Sequence, residues 1–208
     1  MAPITGIRTC NLSVPMPDAT EVIGPVAQIA KQKMTSWCWS AVITSIVASK
    51  QNPPVPTYTQ QCSFAYAVLS ALGEIAPSID NCCGQDNSAT CNIALDSDWI
   101  AGTYCNSPLA VAGISPQPPT KYNSQIIDDT LKSALRAGNP TCIVIEWESQ
   151  DLHVIAIVGA AMIGGVQYYY VGDPEDGHGA WLTRPDIQLY KHCPTSQIGR
   201  WNAAYVTC

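Results

Sequence analysis

Charge is scarce in this chain. Asp, Glu, Lys and Arg make up only 12 % of its 208 residues, about half the roughly 25 % usual in a soluble domain. Ten Lys and Arg stand against 16 Asp and Glu, a net charge of −6, with no basic run anywhere. That balance argues against a nucleic-acid or anionic-membrane surface. Long apolar runs are also missing. The longest, such as 154–163, falls far short of the ~20 residues needed to span a bilayer. No Cys-x-x-Cys pair occurs and only three His are present, so a structural zinc site has little to build on and no metal is expected. Hydrophobic content is an ordinary 47 %, which rules out disorder as the main description. The length suffices for a sizeable core, and 1–208 reads as one domain.

Cysteine is what the chain has in plenty: ten, at positions 10, 38, 62, 82, 83, 91, 105, 142, 193 and 208. Disulfides are the natural reading, and they imply an oxidising compartment, secreted or periplasmic. The start Met1-Ala2-Pro3-Ile4 has neither the basic nor the apolar region of a signal peptide. The expectation is therefore export by another route, or a mature terminus carrying an added Met. If one cysteine is reserved for chemistry, nine of the ten remain, so four disulfides and one leftover thiol are expected. Adjacent Cys82 and Cys83 should reach different partners, because a vicinal bridge would strain the backbone between them.

Residues 1–30 are punctuated by Pro3, Pro15, Pro17 and Pro25 and read as mostly irregular. The clearest helix is 35–50, where Val42, Ile43, Ile46 and Val47 form an apolar stripe. Thr35 or Ser36 suits its N-cap, and Asn52-Pro53-Pro54 stops it. A second helix is expected at about 58–72. The stretch 80–108 lacks apolar periodicity, so cross-links rather than a core should order it. Residues 124–137 read as a helix with Ile126, Ile127, Leu131 and Leu135 on one side. From 141 the character changes. Residues 142–147 read as a buried strand. Segments 153–163 and 166–172 read as strands joined at Gly164-Gly165, a hairpin signal, and 201–206 as a last strand. Helices first and an antiparallel sheet after is the α+β pattern. The division is a mainly helical lobe, 1–140, with a cysteine-rich insert at 62–105, and a β lobe, 141–208.

Chemistry concentrates in three places. Cys38, in Ser36-Trp37-Cys38-Trp39-Ser40-Ala41, falls in the first turn of the best helix. Backbone N–H groups and the helix dipole there favour the thiolate, the reactive form. The bland alternative is one more disulfide partner. His153 leads a strand, where an imidazole can serve as base to a thiol, although a His at a strand start is often only a surface residue. The hairpin returns Asp173, in Gly172-Asp173-Pro174, to the same end. Simple mirror pairing sets Asp173 opposite Ala156, three residues from His153, and a bulge or a wider turn must absorb the offset. Asp173 could then orient the imidazole; Glu175 or Asp176 would replace it in a longer hairpin. Gln28 reads as part of the approach segment, His178 as a solvated loop residue or gate, and His192 has no supporting context.

The run from Gln32 through Ser36-Trp37-Cys38-Trp39-Ser40-Ala41 resembles the nucleophile motif of papain-like cysteine peptidases, and looks closest to a secreted, cysteine-rich bacterial branch. His153 followed by an apolar run to Gly159, then Asp173 twenty residues on, keeps that family's order, and Cys62, Cys82-Cys83 and Cys91-Asn92 resemble its cysteine-rich insert. The matching stretches cover somewhat under half of the chain. The resemblance implies a papain-like α+β fold, with the nucleophile helix of the N-terminal lobe packed on the C-terminal sheet. It implies Cys38 as nucleophile, His153 as acid and base, Asp173 as third member and Gln32 in the oxyanion hole, with Trp201 as a candidate shielding aromatic. No cofactor is implied. Partners would be a protein or peptide substrate and, if the enzyme is a toxin or effector toward other cells, an inhibitor or immunity protein. The same Cys–His–Asp order also serves a transglutaminase, deamidase or other acyl transferase. A non-catalytic secreted binding domain with Cys38 in a disulfide is the third class.

Overall fold

The computed structural model describes residues 19–24, 28–49, 58–74, 78–84, 88–96, 111–112, 121–123, 128–192 and 197–206. The expected stop at 52–54, the apolar pair Ile126 and Ile127, and four cysteines (10, 105, 193 and 208) lie outside them.

The fold is α+β. After a short strand β1 (Ala19–Ile23) come helices α1 (Cys38–Ser49), α2 (Tyr58–Leu72) and α3 (Asp80–Cys83), then a 3-10 turn at Ser88–Cys91. Strand β2 (Lys121–Asn123) and helix α4 (Asp128–Arg136) lead into the β lobe: β3 (Thr141–Trp147), β4 (Leu152–Ile163), β5 (Val166–Asp173) and β6 (His178–Thr183). Helix α5 (Arg184–Gln188), β7 (Leu189–Lys191) and β8 (Ile198–Val206) complete it. The sheet runs β2-β8-β3-β4-β5-β6, with β1 added to β4 and β7 to β8. Every one of these pairings is antiparallel. Among the described residues no helix is long and apolar enough to cross a membrane.

The unbroken apolar run of β4 follows from burial on both faces. Val154, Ala156 and Val158 point into a core shared with α1 and α2. Ile155 and Ile157 point into a second core with Leu131 and Leu135 of α4, Ile187 of α5, and Trp147, Tyr190 and Trp201. Helix α1, between β4 and α2, buries ten of its twelve residues, so it is enclosed nearly all round rather than amphipathic. Its hydroxyls are satisfied internally: Ser45 Oγ donates to the Ala41 carbonyl at 2.6 Å and accepts the Ala30 N–H at 2.9 Å.

Two disulfides join Cys62 to Cys83 and Cys82 to Cys91, so the adjacent cysteines do reach different partners. They staple α2, α3 and the 3-10 turn, where little apolar periodicity exists. Disulfides of this kind persist in an oxidising compartment. Cys38 and Cys142 are free and buried. Cys142, fully enclosed in β3, has its thiol pushed up to about 12 by burial, which leaves it unreactive.

Segment 28–32 lies against the end of the β4–β5 hairpin through one glycine. A Cβ at Gly172 would come within 2.3 Å of Ile29 Cγ1 and 2.9 Å of Ile29 Cβ, and Ile29 is itself only 2 % exposed. Gly172→Ala should therefore overpack this seam and cost about 1–3 kcal/mol of unfolding free energy, measured by urea denaturation.

Candidate active site

Cys38 is the first residue of α1 and is 8 % exposed. The expected N-cap is displaced. Trp37 takes that place, its carbonyl accepting the Ala41 N–H at 2.9 Å. Thr35 and Ser36 are engaged elsewhere: Asn92 Nδ2 donates to Thr35 Oγ1 at 2.7 Å and Asn92 Oδ1 accepts the Ser36 N–H at 2.8 Å. Both flanking indoles are anchored to the same segment, Trp37 Nε1–H on the Cys91 carbonyl at 2.6 Å and Trp39 Nε1–H on the Ile93 carbonyl at 3.1 Å. The cysteine is thus held in place by the disulfide-stapled insert as well as by its own helix.

His153 and Asp173 come together through a bulge. The hairpin closes on Gly164 and Gly165, both at positive φ, with Ile163 opposite Val166. The register then slips between Ile157 and Gly159, so that Ala156 faces Gly172 instead of Asp173. One step further sets Asp173 level with Ile155, two residues from His153. An even separation puts both side chains on one face of the sheet; without the bulge the separation would be odd and they would point to opposite faces. His153 Nε2 and Asp173 Oδ1 are 2.8 Å apart, with 6 % and 0 % of their side chains exposed.

Burial pushes the His153 ring down, but the Asp173 charge and hydrogen bond, followed by the hydrogen bond and charge of Cys38, outweigh it and hold it up to about 10. The imidazole is therefore protonated at neutral pH. Its Nε2 is taken by Asp173, which leaves Nδ1 for the Cys38 side chain. Asp173 receives two further donors: the Tyr190 hydroxyl on Oδ2 at 2.6 Å and the Glu175 N–H on Oδ1 at 2.9 Å. Three donors on one buried carboxylate satisfy it and fix its plane.

Around this pair the sequence reading needs correction. The ring stacked on His153 belongs to Trp147, 5.6 Å away and tilted by 24°. Trp201 lies two strands away, with Ile145 between it and His153 in register, and the Arg184 guanidinium sits over its ring. Strand pairing thus separates Trp201 from the ring that the resemblance had offered it to shield. His192 is buried beside the site, its ring edge against Trp147 and His153, and its Nε2 is 3.2 Å from Glu175 Oε2. No pattern in the residues singled out Tyr190 and His192: apolar Leu189 is the exposed neighbour, and the alternation of buried Tyr190 and His192 with exposed Leu189 and Lys191 comes from the strand pairing. Glu175 and Asp176 do not replace Asp173: their carboxylates turn to His192 and His178. His178 is largely exposed and Gln28 is exposed.

Gln32 lies beside the turn that follows Asp173, its N–H donated to the Pro174 carbonyl at 2.6 Å. Its Nε2 donates to the Thr35 carbonyl at 2.8 Å, which orients the side-chain amide and leaves a second N–H. Gln32 Oε1 is buried with no hydrogen-bond partner. Among the described residues no group of three or more His, Cys, Asp or Glu could hold a metal ion.

No family model matches the chain, and no curated protein matches it. Among solved structures it is similar to digestive procathepsin L 3 of Tenebrio molitor larval midgut, at 14 % identity over 93 % of this chain and 73 % of that one, with a TM-score of 0.44.

The His153 shift has a sign. Its pKa is raised from 6.5 to about 10 on folding, so its contribution to stability is complete below about 6.5 and is lost as pH climbs toward 10. In Cys38→Ala, where no thiolate offsets the proton on His153, the unfolding free energy should fall between pH 6.5 and about 8. Adding Asp173→Asn to Cys38→Ala should flatten that slope, read from urea denaturation at several pH values.

Proposed function

We propose that this chain is a papain-like cysteine peptidase that hydrolyses peptide bonds, acting in a secreted or periplasmic setting. The observation that carries the reading is the buried His153–Asp173 contact at 2.8 Å, whose ring also meets a free cysteine on the first residue of a helix. The Gln32 and Cys38 motif and the chain order Cys, His, Asp support it.

In this mechanism Cys38 Sγ, as the thiolate, attacks the carbonyl carbon of the scissile bond, with the proton held on His153. The carbonyl π electrons move to oxygen, where the second N–H of Gln32 Nε2 and the Cys38 backbone N–H receive the oxyanion. Collapse breaks the C–N bond, and the leaving amine takes the proton from His153. A water molecule then attacks the thioester carbonyl. His153 accepts its proton, and the acid product leaves as the Cys38 thiolate is restored. Asp173 keeps Nε2 engaged throughout, so Nδ1 is the nitrogen that exchanges the proton with the thiol and the leaving group.

Incubation with a mixed peptide library, followed by mass spectrometry, tests the reaction class. New peptide termini with wild type and none with Cys38→Ala are the expected outcome. A 1 Da change or cross-links without new termini would assign acyl transfer or deamidation to the same residues. Gln32→Ala should lower kcat by roughly 10²–10³-fold, the usual loss of one oxyanion donor. Native alkylation tests the nucleophile separately. Iodoacetamide should modify Cys38 and spare Cys142, whose burial keeps it protonated. Peptide mapping that finds Cys38 unmodified would remove the enzyme reading altogether.

A further inference from the structure

The backbone that carries Gln32 is held from the side by a glutamine on another helix. Gln61, in α2, is fully buried. Its Oε1 accepts the Lys33 N–H at 3.0 Å and its Nε2 donates to the Lys31 carbonyl at 3.0 Å. In an extended chain the polar groups of residues 31 and 33 point to one edge and those of residue 32 to the other. The Gln32 N–H accordingly points away from Gln61 and reaches the Pro174 carbonyl at 2.6 Å. The Gln61 carboxamide thus imitates a neighbouring strand on one edge of residues 31–33, while the turn after Asp173 supplies the other edge. With both edges taken, the backbone of residue 32 is held from both sides, and the Thr35 carbonyl then holds its side-chain Nε2.

Asn92 does the same for the next part of the segment, pairing with the Ser36 N–H and the Thr35 hydroxyl. Thr35 is also the residue whose carbonyl orients Gln32 Nε2. Each carboxamide sits next to a disulfide cysteine. Gln61 precedes Cys62, bonded to Cys83, and Asn92 follows Cys91, bonded to Cys82. The adjacent cysteines of α3 therefore tie the two carboxamides into one covalent block that faces residues 31–37.

We infer that Gln61 and Asn92 are positioning residues, which set the direction of the Gln32 amide toward the oxyanion without touching substrate themselves. The inference rests on the peptidase reading above. A structural role alone would disturb the nucleophile and the oxyanion donor together. A positioning role separates them, because alkylation of a thiolate creates no oxyanion and hydrolysis of an amide does.

The test compares Gln61→Met, Asn92→Leu and Asn92→Asp with wild type, by peptide hydrolysis and by the second-order rate of Cys38 modification with iodoacetamide. Gln61→Met keeps the side-chain length but pairs with neither Lys33 N–H nor Lys31 carbonyl; Asn92→Leu likewise loses both partners. For both, kcat should fall about 10- to 100-fold, as expected for a displaced catalytic group, with KM little changed and alkylation within about twofold of wild type. Asn92→Asp keeps an acceptor for the Ser36 N–H and can accept from the Thr35 hydroxyl, so its kcat should return toward wild type. Unchanged kcat in Gln61→Met and Asn92→Leu, or alkylation that falls in parallel with kcat, overturns the inference and leaves the peptidase reading standing. A wild type that alkylates at Cys38 but cleaves no peptide removes both. If Gln61→Met does not fold, the Asn92 pair decides.

Discussion

A positive ring and a carboxylate, both almost out of water, are brought to 2.8 Å between His153 and Asp173. Such a pair is costly to bury unless its remaining donors and acceptors are satisfied. Much of the β lobe can be understood as meeting that requirement. The bulge in β4 turns both side chains to one face. Tyr190, carried by the short strand β7, and the Glu175 N–H of the next turn complete the carboxylate. Trp147 covers the ring with an apolar face and excludes water, which keeps the interaction strong. The helical lobe then adds a thiol to the other side of the same ring, on the first residue of a helix that is itself enclosed.

The two lobes depend on each other at this point. Cys38 belongs to the core shared by α1, α2 and the near face of β4, whereas the Trp147 and Tyr190 neighbours of His153 belong to the core on the far face. Their meeting point is the end of the sheet, where His153 is the second residue of β4 and Asp173 the last of β5. Segment 28–32 bridges the lobes there, with Ile29 packed over Gly172 and the Gln32 N–H on Pro174. The cysteine arithmetic divides along the same line. Four of the described cysteines staple the insert, Cys38 stands at the site, and Cys142 is the inert thiol of a core strand.

Much of this was legible in the residues themselves. Period-two and unbroken apolar runs mark β3, β4 and β5, because a strand between two cores must be apolar on both faces. Gly164-Gly165 marks the turn, because two successive positive φ angles suit glycine. The segments around Cys38, His153 and Asp173 announce themselves by chemistry against a background poor in charge. Local pattern failed where the partner is distant in sequence. Thr35 and Ser36 look like helix caps, yet Asn92, more than fifty residues away, claims both. The family resemblance offers Trp201 as the shielding aromatic, yet it is Trp147 that stacks on His153.

The sequence by itself determined the α+β order, the hairpin, the disulfide-forming character of the insert and the three segments that meet at the site. Each of these depends on periodicity, turn chemistry or residue type within a short window. Only the tertiary structure decided that β4 bulges, that Asp173 rather than Glu175 or Asp176 meets the ring, that Tyr190 and His192 join it, and that Gln61 and Asn92 hold the approach to Cys38. Those outcomes depend on register and on which buried polar groups find each other. A one-residue slip that leaves the amino-acid pattern unchanged would move Asp173 to the opposite face of the sheet.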